Sequence, residues 1–335
     1  MSRFRDRVLS IPGARSGATL AARRALLSAA IAAKWKLDSA RLPLTAEHRE
    51  LYNIIHRSCW RWLQDFPRLV DCRGFNDKIQ WLKLFDQREE SIQCADKLAV
   101  RDYVRERLGD DVLVPLLQVH RTFDEIDFAT LPKSFVIKVN RDSGNVVLVR
   151  DKSQMDMATA KELMEFCLHR VYGWSDGEWA YAGIAPRIIV EEFIEPDRHV
   201  PPPDYKFHCV DGKVRWLQYI FDRGAQTKEV IVDPSGTVTD IHFDHKMRHE
   251  PKFARPAQWP ELLEAAERLA EGWKYIRVDL YLTGGTVKFG ELTLHPLAGC
   301  YKGEGELAVG NLMDFDRGTF LPPIYQRIPR APRPE

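Results

Sequence analysis

Near the C-terminus, Tyr275-Ile276-Arg277-Val278-Asp279-Leu280 and Phe289-Gly290-Glu291-Leu292-Thr293 flank the tight turn Thr283-Gly284-Gly285-Thr286. A double-glycine turn between β-branched runs folds as a hairpin. Side chains alternate along a strand, so Arg277 and Asp279 share a face, as do Glu291 and Thr293. A strict two-residue turn sets Asp279 opposite Gly290 and points Glu291 away, whereas a longer loop or one bulge sets Asp279 opposite Glu291. The second register is expected, because two converging carboxylates are costly without a cation and useful with one. The pattern leaves two readings open, a magnesium site and a solvated acidic pair.

Upstream, Val136-Ile137-Lys138-Val139-Asn140, Ile188-Ile189-Val190-Glu191-Glu192-Phe193-Ile194 and Asp204-Tyr205-Lys206-Phe207 all read as strands. A nucleoside triphosphate needs cations to offset its phosphate oxygens, and Mg²⁺ keeps waters and phosphates in its shell beside one or two carboxylates. Lys138 and Lys206 are the natural phosphate partners. Glu191-Glu192-Phe193 offers a purine and its ribose a backbone edge and a carboxylate; the alternative is a strand end with two solvated glutamates.

At 335 residues and a formal charge of +1, the chain has room for two or three lobes and no global field toward nucleic acid. Its six cysteines are scattered without a Cys-x-x-Cys pair, as in a reduced, cytoplasmic protein. The apolar run of residues 25–33 is far short of the roughly 20 residues that span a bilayer. Around it stand Arg3, Arg5, Arg7, Arg15, Arg23, Arg24, Lys34 and Lys36, which suit a surface helix or leader, or an amphipathic helix in peripheral contact with anionic lipid.

The expected organisation is a basic segment over 1–44, a helical region over 45–130, a small lobe over 131–195, a larger lobe with the acidic hairpin over 196–322, and an irregular tail over 323–335. Thr45 is expected to cap the first helix of the helical region, with Trp60, Trp62, Phe66, Trp81, Leu84 and Phe85 as buried anchors. A helix from Cys94 to Gly109 would carry Lys97 and Arg101 on one side, facing water or a phosphate. Residues 112–117 and 134–139 read as strands, the latter pairing with 146–149 across the turn Asp142-Ser143-Gly144-Asn145. Further strands are expected at 187–194, 205–210, 214–220, 230–232 and 238–243, with helices at 155–169 and 259–271 and a lobe junction at Pro201-Pro202-Pro203.

Taken in order, Phe75-Asn76-Asp77-Lys78-Ile79-Gln80-Trp81-Leu82-Lys83, Ala95-Asp96-Lys97, Phe123-Asp124-Glu125-Ile126-Asp127-Phe128, Leu131-Pro132, Val136-Ile137-Lys138, Glu191-Glu192-Phe193, Asp204-Tyr205-Lys206-Phe207, Arg277-Val278-Asp279 and Gly290-Glu291-Leu292-Thr293 resemble the ATP-grasp superfamily. The likeness is strongest to its branch associated with teichuronopeptide and surface-polysaccharide biosynthesis. The resemblance implies an α+β fold with ATP between two lobes. It places Lys97, Lys138, Ser143, Gly144, Glu191, Glu192, Phe193 and Asp204 around the nucleotide. Lys206 and Arg277 would act in catalysis, and Asp279, Glu291 and Thr293 would hold Mg²⁺.

Two stretches depart from the family pattern. The phosphate loop, typically Asn-His-Gly-Ser-Gly-Gly, is here Asn140-Arg141-Asp142-Ser143-Gly144-Asn145, with glycines lost and a charge that repels phosphate unless Arg141 or a second metal compensates. After Thr293, Leu294-His295-Pro296-Leu297-Ala298-Gly299 replaces a Pro-Gly-Ser-Gly run, and His295 is either a packed histidine or an acceptor-site group. The function implied is ATP-dependent joining of a small-molecule or saccharide carboxylate to an amine; the same parts would serve a sugar kinase or, with the loop decayed, a binding scaffold. Trp174, Trp179, Tyr181, His208, Arg277 and residues 295–305 are candidates for the acceptor pocket.

Overall fold

A computed structural model describes residues 17–194, 202–223 and 226–328. The first 16 residues of the expected basic segment, Pro201 of the proline run and most of the C-terminal tail (329–335) lie outside them. Among the described residues no helix is long and apolar enough to cross a membrane.

Two sheets, antiparallel except for one strand pair, organise the described residues. The first has the order β1-β4-β2-β3, from β1 (Leu116–His120), β2 (Phe135–Val139), β3 (Val146–Val149) and β4 (Ile188–Glu192). Alternation on β2 sends Phe135, Ile137 and Val139 into a core with Met164 and Cys167 of helix α6 (Met157–His169), which leaves Val136 and Lys138 on the opposite face. Asp156 caps that helix, accepting from the Thr159 N–H at 3.0 Å. The sheet takes in β1, which lies upstream of the expected lobe boundary at residue 131, because β4 would otherwise present an unpaired edge beside Glu191. β1 itself sits four residues later than the run at 112–117 suggested, beyond Pro115, which lacks the N–H a ladder needs.

The second sheet runs β10-β9-β5-β6-β7-β8. Its strands are β5 (Asp204–Val210), β6 (Lys213–Phe221), β7 (Lys228–Val232), β8 (Arg248–His249), β9 (Tyr275–Thr283) and β10 (Thr286–Thr293). Among the described residues only β7 and β8 pair in parallel. Helix α7 (Trp259–Ala270) covers one face, meeting Phe207, Cys209, Ile276 and Val278. The expected strand at 238–243 reduces to a single bridge, Val232 to Val238, since the fully buried Glu229 carboxylate takes the Phe243 and Asp244 N–H groups at 2.8 and 2.7 Å and draws that segment off the ladder.

The other face of this sheet meets α3 (Phe75–Phe85), which packs beside α8 (Glu306–Leu312) and α2 (Arg49–Leu63); α1 (Gly17–Ser39) lies on α2, and after the short α4 (Glu90–Ala95), helix α5 (Val100–Leu108) packs on α7, Tyr103 donating to the Leu269 carbonyl at 2.8 Å. Phe75 of α3 makes edge contacts with His208, Trp216, Tyr275 and Tyr301. Of the expected anchors, Phe66, Trp81, Leu84 and Phe85 are buried, but Trp62 is about half exposed, its indole donating to Asp176 at 3.0 Å. Thr45 precedes a short 3₁₀ turn, with its N–H on His48 Nδ1 at 3.1 Å. Helix α1 packs against α2 through Ile31 and Trp35, whose ring meets Tyr52 edge-on at 4.9 Å.

Candidate active site

The polar row lies on β5, β9 and β10, on the face turned from α7. Gly284 and Gly285 both take positive φ, so the turn is the strict two-residue kind, and Thr283 pairs with Thr286. The ladder continues to Leu280 opposite Phe289, then slips by one residue, so that Glu291 stands opposite Asp279 and Thr293 opposite Arg277. Gly290 is the bulged residue. A Cβ there would lie 2.9 Å from the Asp279 carbonyl and from the Tyr281 ring, so the slip requires glycine. The expected register is therefore present, through a bulge.

This register concentrates charge. Arg277 Nε and Nη2 donate to the two Asp279 oxygens at 2.6 and 2.7 Å, and Nη2 also reaches Glu291 Oε1 at 3.0 Å and Thr293 Oγ1 at 2.9 Å. From β5, Lys206 forms an ion pair with Asp279 and lies 3.7 Å from Asp204, which Arg223 also engages. Burial alone would raise the Asp279 carboxyl; Arg277 and Lys206 outweigh it and hold the group below its usual range. Asp279 is almost wholly buried while the Glu291 side chain keeps 35% exposure, so the pair has a closed end and an open end.

A metal coordinated wholly by protein is not what this set suits, and among the described residues no group of three or more His, Cys, Asp and Glu converges on one point. Two opposed carboxylates, one open to the cleft, do fit Mg²⁺ that completes its shell with phosphate oxygens and water. Thr293, expected as a third ligand, is held between Arg277 and Glu291.

Across the cleft, Lys138 Nζ lies 2.6 Å from Glu191 Oε2, and Arg101 approaches Glu191 Oε1 at 3.4 Å while donating to the Val114 carbonyl at 2.9 Å. Arg101 thus serves this wall, although its spacing in the sequence favoured a solvated cation. The helix expected from Cys94 breaks at Asp96, which is extended, so Lys97 sits in the turn between α4 and α5 and donates to the Asp142 carbonyl. Burial pushes the Lys97 ammonium below its usual value, with Glu291 opposing the shift.

The altered loop is held by side chains. Asn140 donates to Asp96 at 2.8 Å and to the Ala185 carbonyl at 3.1 Å, and its Oδ1 accepts from the Arg187 N–H at 2.7 Å. Asp142 is buried, and its charge is met by Arg170 at 2.8 Å and by Asn145 at 2.6 Å. Arg141, offered from sequence beside a second metal as a compensating charge, instead donates to the Leu168 and Ile184 carbonyls at 2.9 and 3.3 Å. A similar substitution of bonds for glycines occurs after β10. Leu297 and Ala298 both adopt left-handed backbone, and Gln80 and Lys83 of α3 hold the Ala298 carbonyl at 2.8 Å each.

Between the sheets lies a cleft of about 620 Å³. Lys97, Lys138, Ser143, Gly144, Glu191, Glu192, Phe193, Asp204, Lys206, Asp279 and Glu291 all line it, with Val136, Leu148 and Leu292 giving it apolar walls. Arg277 and Thr293 line an adjoining cavity of about 220 Å³, which also touches Lys206 and Glu291. Of the residues proposed for an acceptor pocket, Tyr181, Arg277, His295, Leu297 and Tyr301 reach this cavity. His208, Trp174 and Trp179 do not line it. His208 is fully buried, stacked on Trp216 and bonded to Tyr275 at 2.9 Å; Trp174 stacks on Tyr325; the Trp179 indole donates to the Lys83 carbonyl at 3.2 Å. Tyr281, Arg223 and Glu178 line these spaces without having been singled out from sequence. Only Tyr281 carried a signal, as the next residue in phase with Arg277 and Asp279.

Among curated proteins nothing matches the chain. Solved structures similar to it include D-alanine–D-alanine ligase from Bacillus anthracis complexed with ATP, at 20% identity and TM-score 0.37 over 65% of this chain and 60% of that one. An L-amino acid ligase from Bacillus licheniformis is 16% identical, with TM-score 0.40 over 67% of this chain and 50% of that one. D-alanine–D-alanine ligase from Helicobacter pylori is also 16% identical, with TM-score 0.41 over 72% and 69%. The chain thus spans about 60% of the length of the first of these structures. The family described as TupA-like ATPgrasp matches residues 77–308, from α3 through α8 and across both walls of the cleft. The protein belongs to the TupA-like ATP-grasp family, and its α+β architecture is the ATP-grasp fold.

Proposed function

We propose that the protein is an ATP- and Mg²⁺-dependent carboxylate–amine ligase that works through an acyl phosphate in the modification of a bacterial surface polysaccharide, on the cytoplasmic side where ATP is supplied. The observation that carries this reading is the facing of Lys97 and Lys138 on one wall with Lys206, Arg277, Asp279 and Glu291 on the other, across a cleft with apolar sides. ATP-bound and amino-acid-joining ligases among the similar structures agree with it.

In this reading Val136, Leu148 and Phe193 enclose the base, Glu191 and Glu192 face the ribose and adenine edge, and Lys97 and Lys138 neutralise the inner phosphates. Asp279 and Glu291 would hold Mg²⁺, which when bound offsets charge on the transferred phosphoryl group. Lys206 releases Asp279 to meet the outer phosphates, and Arg277 steadies the reacting carboxylate. A carboxylate oxygen takes the γ-phosphoryl group as its bond to ADP breaks. The amine nitrogen then attacks the acyl carbon, the bond to phosphate breaks, and nitrogen gives up a proton.

The test is calorimetric titration with a non-hydrolysable ATP analogue, with and without Mg²⁺, followed by incubation with ATP, hydroxylamine and a panel of uronic acids and amino acids. Magnesium-dependent binding that Glu291→Gln loses, and a hydroxamate formed with one acid, are expected. A phosphoester formed without any amine would instead make the protein a kinase, and absence of nucleotide binding by the wild type would remove both activities.

A further inference from the structure

The cavity beside the charged row contains a carboxyl that the mechanism above does not use. Glu178 lies between two 3₁₀ turns, Trp174–Asp176 and Trp179–Gly183, and keeps only 6% of its surface exposed. Its side chain folds over Gly173, where a Cβ would come within 2.8 Å of Oε2, and it lines the 220 Å³ cavity. Among the described residues the carboxyl has neither a hydrogen bond nor an ion pair. A buried polar group normally has a partner, and removing a carboxylate from water without one costs several kcal/mol, on the order of the whole stability of a domain.

The remaining lining says what kind of partner is missing. Asp244, the other carboxylate whose residue is confined to this cavity, is already satisfied by the Lys246 N–H at 3.0 Å and lies 3.6 Å from His245. His295 is held neutral by burial, with Lys83 adding to the shift, so it brings no cation to Glu178. Arg277 also faces the space, but its guanidinium is committed to Asp279, Glu291 and Thr293. Lys206 and Arg223 line the space too, and they are held by Asp279 and Asp204, so every cation of the lining is already paired and Glu178 is left an unmatched acceptor. Burial pushes the Glu178 carboxyl up to about 8 against the opposing charge of Lys83, so the group rests protonated at neutral pH and a cation docking beside it favours the ionised, accepting form.

We propose that this cavity binds the amine substrate as a small primary ammonium compound of amino-acid size, with Glu178 accepting its N–H hydrogen bonds. The proposal rests on the ligase reading for the role of that amine, though the site itself does not require it. Glu178 becomes the residue that selects an amine over a hydroxyl, because a hydroxyl donates one hydrogen bond and cannot offset the carboxylate's charge.

The test uses the full chain with Mg²⁺ and a non-hydrolysable ATP analogue, screened by thermal shift and calorimetry against the twenty L-amino acids, D-alanine and their des-amino counterparts. At least one amino acid is expected to bind the wild type at least tenfold more tightly than its des-amino counterpart. Glu178→Gln, equal in size and free of buried charge, should melt no lower than the wild type and lose that tenfold preference. Preference retained within twofold in Glu178→Gln overturns the assignment, as does a nucleotide-bound wild type that takes no amino acid. If an amino acid binds and Glu178→Gln abolishes it while no nucleotide binds, the cavity assignment stands and the ligase reading falls; if neither ligand binds, both fall.

Discussion

Two hairpins face each other over the cleft, and they hold their functional groups by different means. In β9–β10 the groups stand on the strands themselves, and one bulge at Gly290 decides whether Glu291 meets Asp279 or points away. In β2–β3 only Lys138 is strand-borne; Ser143 and Gly144 sit in a tip whose shape depends on Asp96, Arg170, Ala185 and Arg187 elsewhere in the chain. The first hairpin is specified by its own backbone, the second by its surroundings. Damage to the first should therefore be local and severe, and damage to the second distributed and mild.

The largest effect is expected from Asp279→Asn. Arg277 and Lys206 would lose the carboxylate that neutralises them in a buried setting, at a cost of about 3 kcal/mol, since Arg277 keeps Glu291. Denaturant unfolding of both proteins at neutral pH measures it, and nucleotide binding should be lost. The same comparison in acid fixes the sign. The folded Asp279 carboxyl lies below its usual value, so its contribution is present above the ordinary carboxylate range near 4 and drains away as pH falls through the folded value. The gap between wild type and Asp279→Asn should shrink below about pH 4; a gap that stays constant in acid would mean that the carboxylate is not the stabilising element.

This difference also explains what the sequence made legible. Period-two alternation and the double glycine set Arg277 with Asp279 and Glu291 with Thr293, and the use of two converging carboxylates around a cation pointed to a longer loop or a bulge without choosing between them. Lys138, Glu191 and Lys206 were legible for the same reason, being strand residues with a fixed face. The compensation of Asp142 was not, because Arg170 is 28 residues away and follows a helix whose orientation no local rule supplies. The helical pattern around Lys97 runs on unbroken in the sequence, since nothing local shows that Asp96 turns to accept from Asn140. Glu178 gave no signal at all: its meaning lies in a missing partner, and absence of contact is a property of the fold alone.

A smaller loss, about 2 kcal/mol, is expected from Gly290→Val, which forces a side chain against the Asp279 carbonyl and the Tyr281 ring. The strands can relieve the clash by sliding back to the unbulged pairing, at the price of turning Glu291 out of the site. Nucleotide affinity should then fall by at least tenfold while the helical content is unchanged. Retained affinity would show that the register tolerates a Cβ and that the bulge is not what aligns the carboxylates.

The mildest effect belongs to the other hairpin. Arg170→Met removes the cation facing Asp142, but the guanidinium is about one-third exposed and Asn145 remains bonded to the carboxylate, so the stability cost should be near 1 kcal/mol. The informative readout is hydrogen exchange. Amides of residues 140–145 should lose protection while those of β9 and β10 keep theirs, because nothing in the β9–β10 hairpin depends on Arg170. Loss of protection in both would mean that the two walls are coupled through the cleft, and the contrast between a self-specified hairpin and a supported one would fail.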